Sequence, residues 1–257
     1  MKRYFYLIHI QYLGFRFHGW AKQPGVKTVH HMIDRTLQYV MEERKFKTLG
    51  SSRTDAMVSA NAFAFELFVH EPLEQEAFLK EFNLNLPPDI RALHIEQVDE
   101  QFNVIQNPKL KEYLYLFAFG EKPHPFSAPF MTTLPFVLDV ELMKIGASYF
   151  EGTHYFGAYC KKPGANTQLT RTIISSEIVP NEKFTASFFP EESHMFRVRG
   201  SGFMRNQIRI MMGQLIRLGQ KKISLEDLKA SLQPDFDQHL SYIAPASGLL
   251  LNSVEFK

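Results

Sequence analysis

FKTLGSSRTDAMVSANAFAFELFV, residues 46–69, contains two strand patterns with a short polar segment between them. The segments at 46–49 and 62–69 are rich in β-branched and aromatic residues, which favour strands. SSRTDA at 51–56 concentrates hydroxyl, guanidinium and carboxylate groups, which favour a surface loop. Two strands that follow one another directly form the central pair of a β-α-β-β-α-β unit, and the surrounding sequence supplies its other four elements.

The rest of the first half is predicted from apolar periodicity and helix-end signals. A buried strand is predicted at 3–11, and the Gly-rich segment at 12–25 is too irregular for either period, which indicates a long loop. Thr28 is placed to cap a helix whose apolar residues recur at three- and four-residue steps. A helix at 74–82 ends before two prolines, and a strand at 90–98 completes the ferredoxin-like order.

The second half resembles the first in element order but not in residues. Its predicted elements are a strand at 111–119, a helix at 139–150, strands at 171–179, 184–189 and 194–200, a helix at 203–218 and a closing strand at 249–256. Four prolines within residues 122–135 predict an inserted loop. We therefore expect an α/β (α+β) protein of two ferredoxin-like halves, 1–106 and 107–257, sharing a mixed, largely antiparallel sheet with helices on one side.

Composition limits the class of protein. The 257 residues are 45% hydrophobic, which is enough to bury a substantial core. The single cysteine, Cys160, excludes an internal disulfide and a multi-cysteine metal site, which suits a reducing cytoplasm. No apolar run approaches the ~18 residues of a membrane helix, and the start of the chain lacks a signal-peptide pattern. We expect a soluble, cytoplasmic protein with no membrane or metal partner.

The net charge of +2 hides three blocks of opposite sign. Residues 2–53 hold ten basic and three acidic side chains, a net +7, whereas residues 66–100 hold two basic and nine acidic ones, a net −7. Residues 197–222 hold seven basic side chains and no acidic one. If both basic blocks fold onto one face, they form a positive surface suited to nucleic acid; ordinary solvated faces are the alternative.

The polar loop places Arg53 and Asp55 two positions apart. A nearby guanidinium group favours the ionised form of a carboxylate. An ionised aspartate can serve as a nucleophile or a general base. The alternative is structural, with Thr54 and Asp55 satisfying the backbone amides of a turn.

A series of motifs in order covers nearly the whole chain. They are YLGFRFHGWAKQP at 12–24 followed by Thr28-Val29, RTDA at 53–56, NLPPDI at 85–90, KEYLYLF at 111–117, GSGFMRNQIRIMMGQLIRLG at 200–219 and APASGLLL at 244–251. Together they resemble the TruA family of tRNA pseudouridine synthases. The resemblance implies an isomerase that breaks the N1–C1′ bond of a uridine, rotates the uracil and rejoins it through C5. It implies no cofactor and no metal.

The resemblance also assigns roles to individual residues. Asp55 is the catalytic aspartate, Tyr113 packs against the target uracil, and Arg53 helps to extrude that base from its RNA stem. Arg209 is the expected ion-pair partner of Asp55. Leu251 matches an apolar residue near the pocket. For Tyr113 and Leu251 the alternative is a core strand.

Further basic side chains are predicted to contact RNA. Arg205, Arg209 and Arg217 fall within roughly 120° of one another on the predicted helix at 203–218, which indicates one basic face. Arg205 and Arg217 are the expected phosphate contacts there, and Lys22 is the expected contact in the first basic block. By contrast, His18, His30 and His31 fit no standard metal-ligand spacing.

The segment that carries Asp55, residues 51–60 and here called the aspartate loop, departs from the family pattern at three positions. Ser52, Met57 and Ser59 stand where the family has glycine, glycine and histidine. Because methionine disfavours the positive φ that glycine adopts freely, we expect the loop after Asp55 to follow a different course. Lys111 also replaces an arginine before the tyrosine strand. The residues assigned to chemistry are retained, so the departures affect the choice of uridine more than the reaction.

The leading hypothesis is a homodimeric pseudouridine synthase that acts on tRNA, in the anticodon stem-loop. One alternative is the same chemistry at another tRNA position or on another RNA. A second is an RNA chaperone that keeps the fold without turnover. A third, an α/β enzyme for a phosphorylated metabolite, lacks the expected P-loop and Rossmann glycine patterns.

Overall fold

The computed structural model describes residues 3–256, which divide into two compact units. The first unit comprises the chain up to Lys109 together with the last strand from Leu251, and the second comprises Leu110–Leu250. The sequence pattern predicts a boundary at residue 106 and places the closing strand with the second half. Within the part of the chain that is described, no helix combines the length and apolar character that crossing a membrane requires.

Six elements form the body of the first unit. They are β1 (Tyr4–Tyr12), α1 (Val29–Val40), β2 (Phe46–Gly50), β3 (Ser59–Val69), α2 (Gln75–Asn85) and β4 (Ile90–Val98). β1 pairs antiparallel with β3 and with β4, and β2 pairs antiparallel with the second half of β3. The predicted β-α-β-β-α-β order is therefore confirmed for this unit, with the strands arranged β4-β1-β3-β2.

The first helix begins and packs as its sequence predicts. Thr28 precedes α1 in an extended conformation, and its hydroxyl accepts a hydrogen bond from the His31 amide at 3.3 Å. This satisfies one of the first-turn amides that a helix leaves without an internal partner. The side chains at three- and four-residue spacing, among them Val29, Ile33 and Leu37, are buried.

The second unit adds eight elements, and one further strand ends the chain. They are β5 (Pro108–Phe119), β6 (Thr132–Leu134), α3 (Val140–Ser148), β7 (Gly152–Tyr155), β8 (Thr170–Pro180), β9 (His194–Gly200), α4 (Gln207–Gly219), α5 (Leu225–Ala230) and β10 (Leu249–Phe256). β5, β9, β8 and β7 are antiparallel neighbours in that order, while β6 pairs parallel with β5. β10 lies beside β3. The strands are mixed in direction but largely antiparallel, as predicted.

The strand predicted at 184–189 is wrong. These residues form turns and irregular backbone. The Asn181 side chain accepts a hydrogen bond from the Phe184 amide at 3.0 Å and donates one to the Phe184 carbonyl at 2.8 Å. Such side-chain bonds to backbone groups compete with strand pairing, so the apolar run of this segment does not extend the sheet.

The start predicted for the basic helix is also wrong. α4 begins at Gln207 rather than at residue 203, because Asn206 adopts a left-handed conformation with φ of +61°. Arg205 therefore lies in the turn before the helix, and only Arg209 and Arg217 of the predicted basic face belong to α4. The three arginines do not share one helix face.

Candidate active site

Asp55 lies in the loop that connects β2 to β3. It is half-buried, with the exposed Arg53 and the buried Thr54 before it. The Thr54 carbonyl accepts a hydrogen bond from the Trp20 amide at 3.2 Å, and the Asp55 carbonyl accepts one from the Val58 amide at 3.2 Å. The Thr54 hydroxyl lies 3.0 Å from the Tyr12 hydroxyl. The backbone on both sides of Asp55 is therefore fixed.

The long loop after β1 packs directly on this aspartate loop. The Met57 amide donates to the Phe17 carbonyl at 3.0 Å, and the Gly14 amide donates to the Ser59 hydroxyl at 2.9 Å. A β-carbon at Gly14 would overlap the carbonyl oxygen of Val58. Glycine is required there because two stretches of backbone approach each other more closely than a side chain allows.

Gly19 and Trp20 form the closest part of this contact. Gly19 has φ of +82°, and a β-carbon on it would overlap the Thr54 carbonyl oxygen. The Trp20 ring is only 3% exposed and lies 4.1 Å from the Phe63 ring, centroid to centroid. Its edge occupies the space beside Gly50 at the end of β2. The Gly-Trp pair of the sequence motif thus packs against both strands that carry Asp55, at Gly50 of β2 and Phe63 of β3.

The course of the loop after Asp55 corrects the expectation from sequence. Met57 has φ of +68°, so the methionine adopts the left-handed conformation that glycine would adopt freely. The hydrogen bond from the Met57 amide to the Phe17 carbonyl holds it there, and the residue bears strain that a glycine would not. Ser59 in turn supplies a hydroxyl acceptor for Gly14. Met57 therefore adopts the positive φ that its side chain disfavours, and Ser59 helps to hold the loop that packs on it.

The NLPPDI segment anchors the base of the long loop. The Leu13 amide donates to the Asp89 carbonyl at 2.9 Å, and the Arg16 guanidinium forms a two-pronged ion pair with the Asp89 carboxylate. Hydrogen bonding to that carboxylate raises the pKa of Arg16 further above its usual value. Asp89 therefore connects α2 and β4 to the loop that packs on Asp55.

Tyr113 lies on β5 in the second unit. It pairs in register with Val198 of β9 and is 8% exposed. Its ring meets the Phe203 ring edge to face, with centroids 5.3 Å apart. Lys111 lies two residues before Tyr113 on the same strand, and burial lowers its pKa to about 8. An arginine at this position would stay charged.

Arg209 lies on α4 and is tied to the APASGLLL segment. Its Nε donates to the Ala244 carbonyl at 2.8 Å, and its own carbonyl accepts from the Ala244 amide at 3.0 Å. The next carbonyl, that of Pro245, accepts a 2.8 Å hydrogen bond from the buried Tyr115 hydroxyl. Burial raises the pKa of Tyr115, so this phenol stays protonated. The segment thus joins α4 to β5.

The remaining predicted residues lie in different surroundings. Leu251 on β10 is fully buried, while Arg205 is exposed and Arg217 is half-buried. Arg217 is close enough to α5 to help lower the pKa of Asp227, after the larger effect of the Ser224 hydrogen bonds. Lys22 forms an ion pair with Asp34 of α1. Among residues 3–256, no cluster of three or more His, Cys, Asp or Glu side chains could hold a metal ion.

Sequence reasoning missed a polar cluster around Trp20. His30 stacks on the Trp20 ring, and its Nε2 lies 2.7 Å from the hydroxyl of Thr48 on β2. That hydroxyl donates to Asp34 at 2.6 Å. The signal in the sequence was the spacing of His30 and Asp34, which are one helical turn apart. Thr48, the residue of β2 that bonds both side chains, could not be identified from sequence spacing.

Comparison with known proteins gives this geometry its context. Residues 147–257 match a family model described as tRNA pseudouridine synthase. The tRNA pseudouridine synthase A of Exiguobacterium sibiricum is 30% identical over 94% of this chain and 92% of that protein. The tRNA pseudouridine synthase A 2 of Bacillus cereus is 30% identical over 98% of this chain and 99% of its own length. A solved Cbf5-Nop10-Gar1 complex matches at a TM-score of 0.32 and 15% identity, covering 82% of this chain and 45% of that one.

The matches and the aspartate loop together define a class of enzyme, the pseudouridine synthases, which are isomerases. Within that class the full-length identity is decisive, because it extends over both units and not over the second alone. The chain belongs to the tRNA pseudouridine synthase A family. The resemblance seen in the sequence motifs is confirmed.

Proposed function

We propose that this chain converts uridine to pseudouridine in tRNA, in the anticodon stem-loop, and that Asp55 is its catalytic carboxylate. The observation that carries the proposal is the Arg-Thr-Asp loop in a chain of this family. Its backbone is fixed on both sides of Asp55 by the loop at 12–28, and the aspartate side chain is half-buried rather than enclosed. A carboxylate held in this way suits attack on, or proton removal from, a nucleotide brought to it.

Each of the other site residues has a separate proposed role. Asp55 acts while the N1–C1′ bond breaks, and Tyr113 packs against the detached uracil and moves the C5 proton. Arg209 pairs with Asp55 and keeps it ionised. Arg53, which is exposed, takes the space that the extruded base vacates and offsets part of the few kcal/mol that unstacking costs. Leu251 contributes to the apolar wall of the pocket.

Binding of the RNA involves charges beyond the pocket. Arg205, Arg217 and Lys22 are the proposed phosphate contacts. The enzyme acts in the cytoplasm as a homodimer, since one chain of 257 residues offers little surface to hold a folded tRNA. Each chain supplies an N-terminal half with the aspartate loop and a C-terminal half with the tyrosine strand and the basic helix. Light scattering of the purified protein, with and without tRNA, measures the oligomeric state.

The test of the reaction is tritium release from tRNA labelled at C5 of uridine. The wild type is expected to release tritium with multiple turnovers. Asp55→Asn and Asp55→Ala are expected to lower the rate by three orders of magnitude or more, roughly the loss seen when catalytic groups are removed, with nearly unchanged tRNA affinity. An Asp55→Asn variant that turns over normally would overturn the proposal. If Asp55→Asn leaves every effect of the protein on RNA unchanged, that result would favour an RNA chaperone.

The same chemistry on a different uridine or another RNA is the second candidate. The departures at Met57, Ser59 and Lys111 favour it, because Met57 and Ser59 lie in and at the end of the loop that carries Asp55, and Lys111 lies on β5 two residues before Tyr113. Carbodiimide mapping of pseudouridine in a strain lacking the gene separates the two candidates. Loss of pseudouridine from the anticodon arm supports the first, whereas an unchanged anticodon arm with loss elsewhere supports the second.

A further inference from the structure

We infer that Trp20 and His30 are positioning residues for catalysis: the stacked pair sets the place of the Arg53–Asp55 loop. The inference rests on the proposed role of Asp55. It concerns residues that lie beside the aspartate loop and do not touch the substrate in the proposed reaction.

The backbone of Trp20 bridges the aspartate loop and the first turn of α1. The Trp20 amide donates to the Thr54 carbonyl at 3.2 Å, and the Trp20 carbonyl accepts from the His30 amide at 3.1 Å. The Gly19 carbonyl likewise accepts from the Val29 amide at 3.1 Å. These bonds satisfy two of the amides that the start of a helix leaves without internal partners. A shift of Trp20 therefore disturbs the helix start and the Thr54 backbone together.

The Trp20 ring is held between two other rings. The His30 imidazole stacks on it nearly parallel, with centroids 5.0 Å apart and 16° between the planes. Phe63 of β3 lies on it at 4.1 Å. With the ring edge also against Gly50 of β2, the indole contacts both strands that carry the aspartate loop. Because protein interiors are densely packed, the Trp20 ring cannot move without moving the residues that it contacts. Its position therefore determines that of the aspartate loop.

His30 is itself fixed by a chain of hydrogen bonds. The Thr48 hydroxyl has one proton and donates it to Asp34 at 2.6 Å, so its oxygen accepts from His30 Nε2 at 2.7 Å. Lys22, two residues after Trp20, forms an ion pair with the same Asp34 carboxylate. Burial lowers the pKa of His30, which favours the neutral ring with a proton on Nε2. The cluster therefore ties the imidazole to β2 and to the loop that carries Trp20.

The experiment compares His30→Ala with His31→Ala. His31 is the exposed neighbour on the same helix turn, so its variant is a matched control. Each variant is assayed by tritium release for kcat and KM. Trp20 is the only tryptophan of the chain, so intrinsic fluorescence and its quenching by acrylamide report this ring alone.

In His30→Ala we expect kcat to fall by about 10- to 100-fold with KM changed less than about 3-fold, since displacing a reacting group by ~1 Å can cost two orders of magnitude. The Trp20 emission is expected to shift to longer wavelength and to become more accessible to acrylamide. His30→Gln, which can still donate to Thr48, is expected to recover most of kcat. His31→Ala is expected to match the wild type in every measurement.

A second variant covers the case in which His30→Ala does not fold. Thr48→Val keeps the shape of the side chain but removes the hydroxyl between His30 and Asp34. It is expected to lower kcat by a smaller factor, with the same fluorescence change. The inference is overturned if Trp20 fluorescence changes while kcat does not, or if kcat falls equally in His31→Ala. Retained activity in Asp55→Asn would instead overturn the proposed catalytic role of Asp55. That result differs from both outcomes that would overturn the role of Trp20 and His30.

Discussion

Met57 adopts a left-handed backbone conformation two residues after Asp55, with φ of +68°. A non-glycine residue in this conformation costs ~1–2 kcal/mol, whereas glycine costs little there but loses ~0.5–1 kcal/mol more conformational entropy on folding. We therefore expect Met57→Gly to raise the free energy of unfolding by about 0.5–1 kcal/mol and to leave kcat within twofold of the wild type. Urea unfolding and tritium release measure the two quantities.

Glu42 is a matched control for this substitution. It also has positive φ, +53°, but lies in the exposed turn after α1. Glu42→Gly should stabilise the protein by a similar amount. A Met57→Gly variant that is less stable than the wild type, beside a stabilised Glu42→Gly, would mean that the methionine side chain contributes packing that outweighs the backbone strain.

At the scale of elements, the approach of two loops determines where Asp55 lies. Gly19 and Gly25 both have positive φ, +82° and +76°, so alanine is strained at either position. They differ in space, because a β-carbon at Gly19 would overlap the Thr54 carbonyl, while one at Gly25 meets nothing within 4 Å. The pair separates the cost of backbone strain from the cost of displacing the aspartate loop.

Gly25→Ala is expected to lower the free energy of unfolding by ~1–2 kcal/mol, the cost of the strained conformation, with kcat unchanged. Gly19→Ala is expected to cost more stability and to lower kcat by about 100-fold, because the Thr54 carbonyl must move. Thermal unfolding and tritium release of the two variants provide the measurements. Equal kcat in both variants would show that the aspartate loop tolerates this displacement.

The elements that the sequence could predict are those whose signals are local. α1 has its cap at Thr28 and a continuous apolar stripe, so its start is predictable to the residue. The start of α4 is not, because φ at Asn206 depends on the turn before it rather than on apolar spacing. β6 and β7 have three and four residues, too few for a period to show. At the segment expected to form a strand at 184–189, the Asn181 side chain bonds both backbone groups of Phe184, and the Phe189 amide bonds the Ala186 carbonyl within a turn.

The contrast between local signals and distant contacts also explains which features of the candidate site could be predicted. The loop position of Arg53 and Asp55 could be predicted because their motif lies within one short segment, and the placement of Tyr113 on a strand and of Arg209 on a helix because each lies in a periodic stretch. The contacts of Gly14 with Val58 and of His30 with Thr48 join segments far apart in the chain, so no local pattern could indicate them. The left-handed conformation of Met57 could not be predicted for a related reason: it is held by a hydrogen bond from the Met57 amide to the carbonyl of Phe17, forty residues earlier in the chain.

At the scale of the whole molecule, the placement of charge decides how the protein meets a polyanion. The first unit contains both the basic block before residue 54 and the acidic block at 66–100, whereas the second contains the block at 197–222 without acidic residues. A substitution that removes one cation from a phosphate should lower the slope of log affinity against log salt by about 1. The slope therefore distinguishes a cation bound at a phosphate from one that only adds to the net charge.

Arg205 and Arg91 provide the comparison for this measurement. Both are exposed arginines, but Arg205 lies in the basic block of the second unit and Arg91 lies on β4 within the acidic block. We expect Arg205→Gln to weaken tRNA binding and to reduce the salt slope by about 1, because a fixed cation at a phosphate displaces one counterion. Arg91→Gln removes the same formal charge, so any effect of net charge alone would appear in both variants. Filter binding over a series of salt concentrations, with Asp55→Asn as background to prevent turnover, gives both slopes; equal slopes in the two variants would contradict a phosphate contact at Arg205.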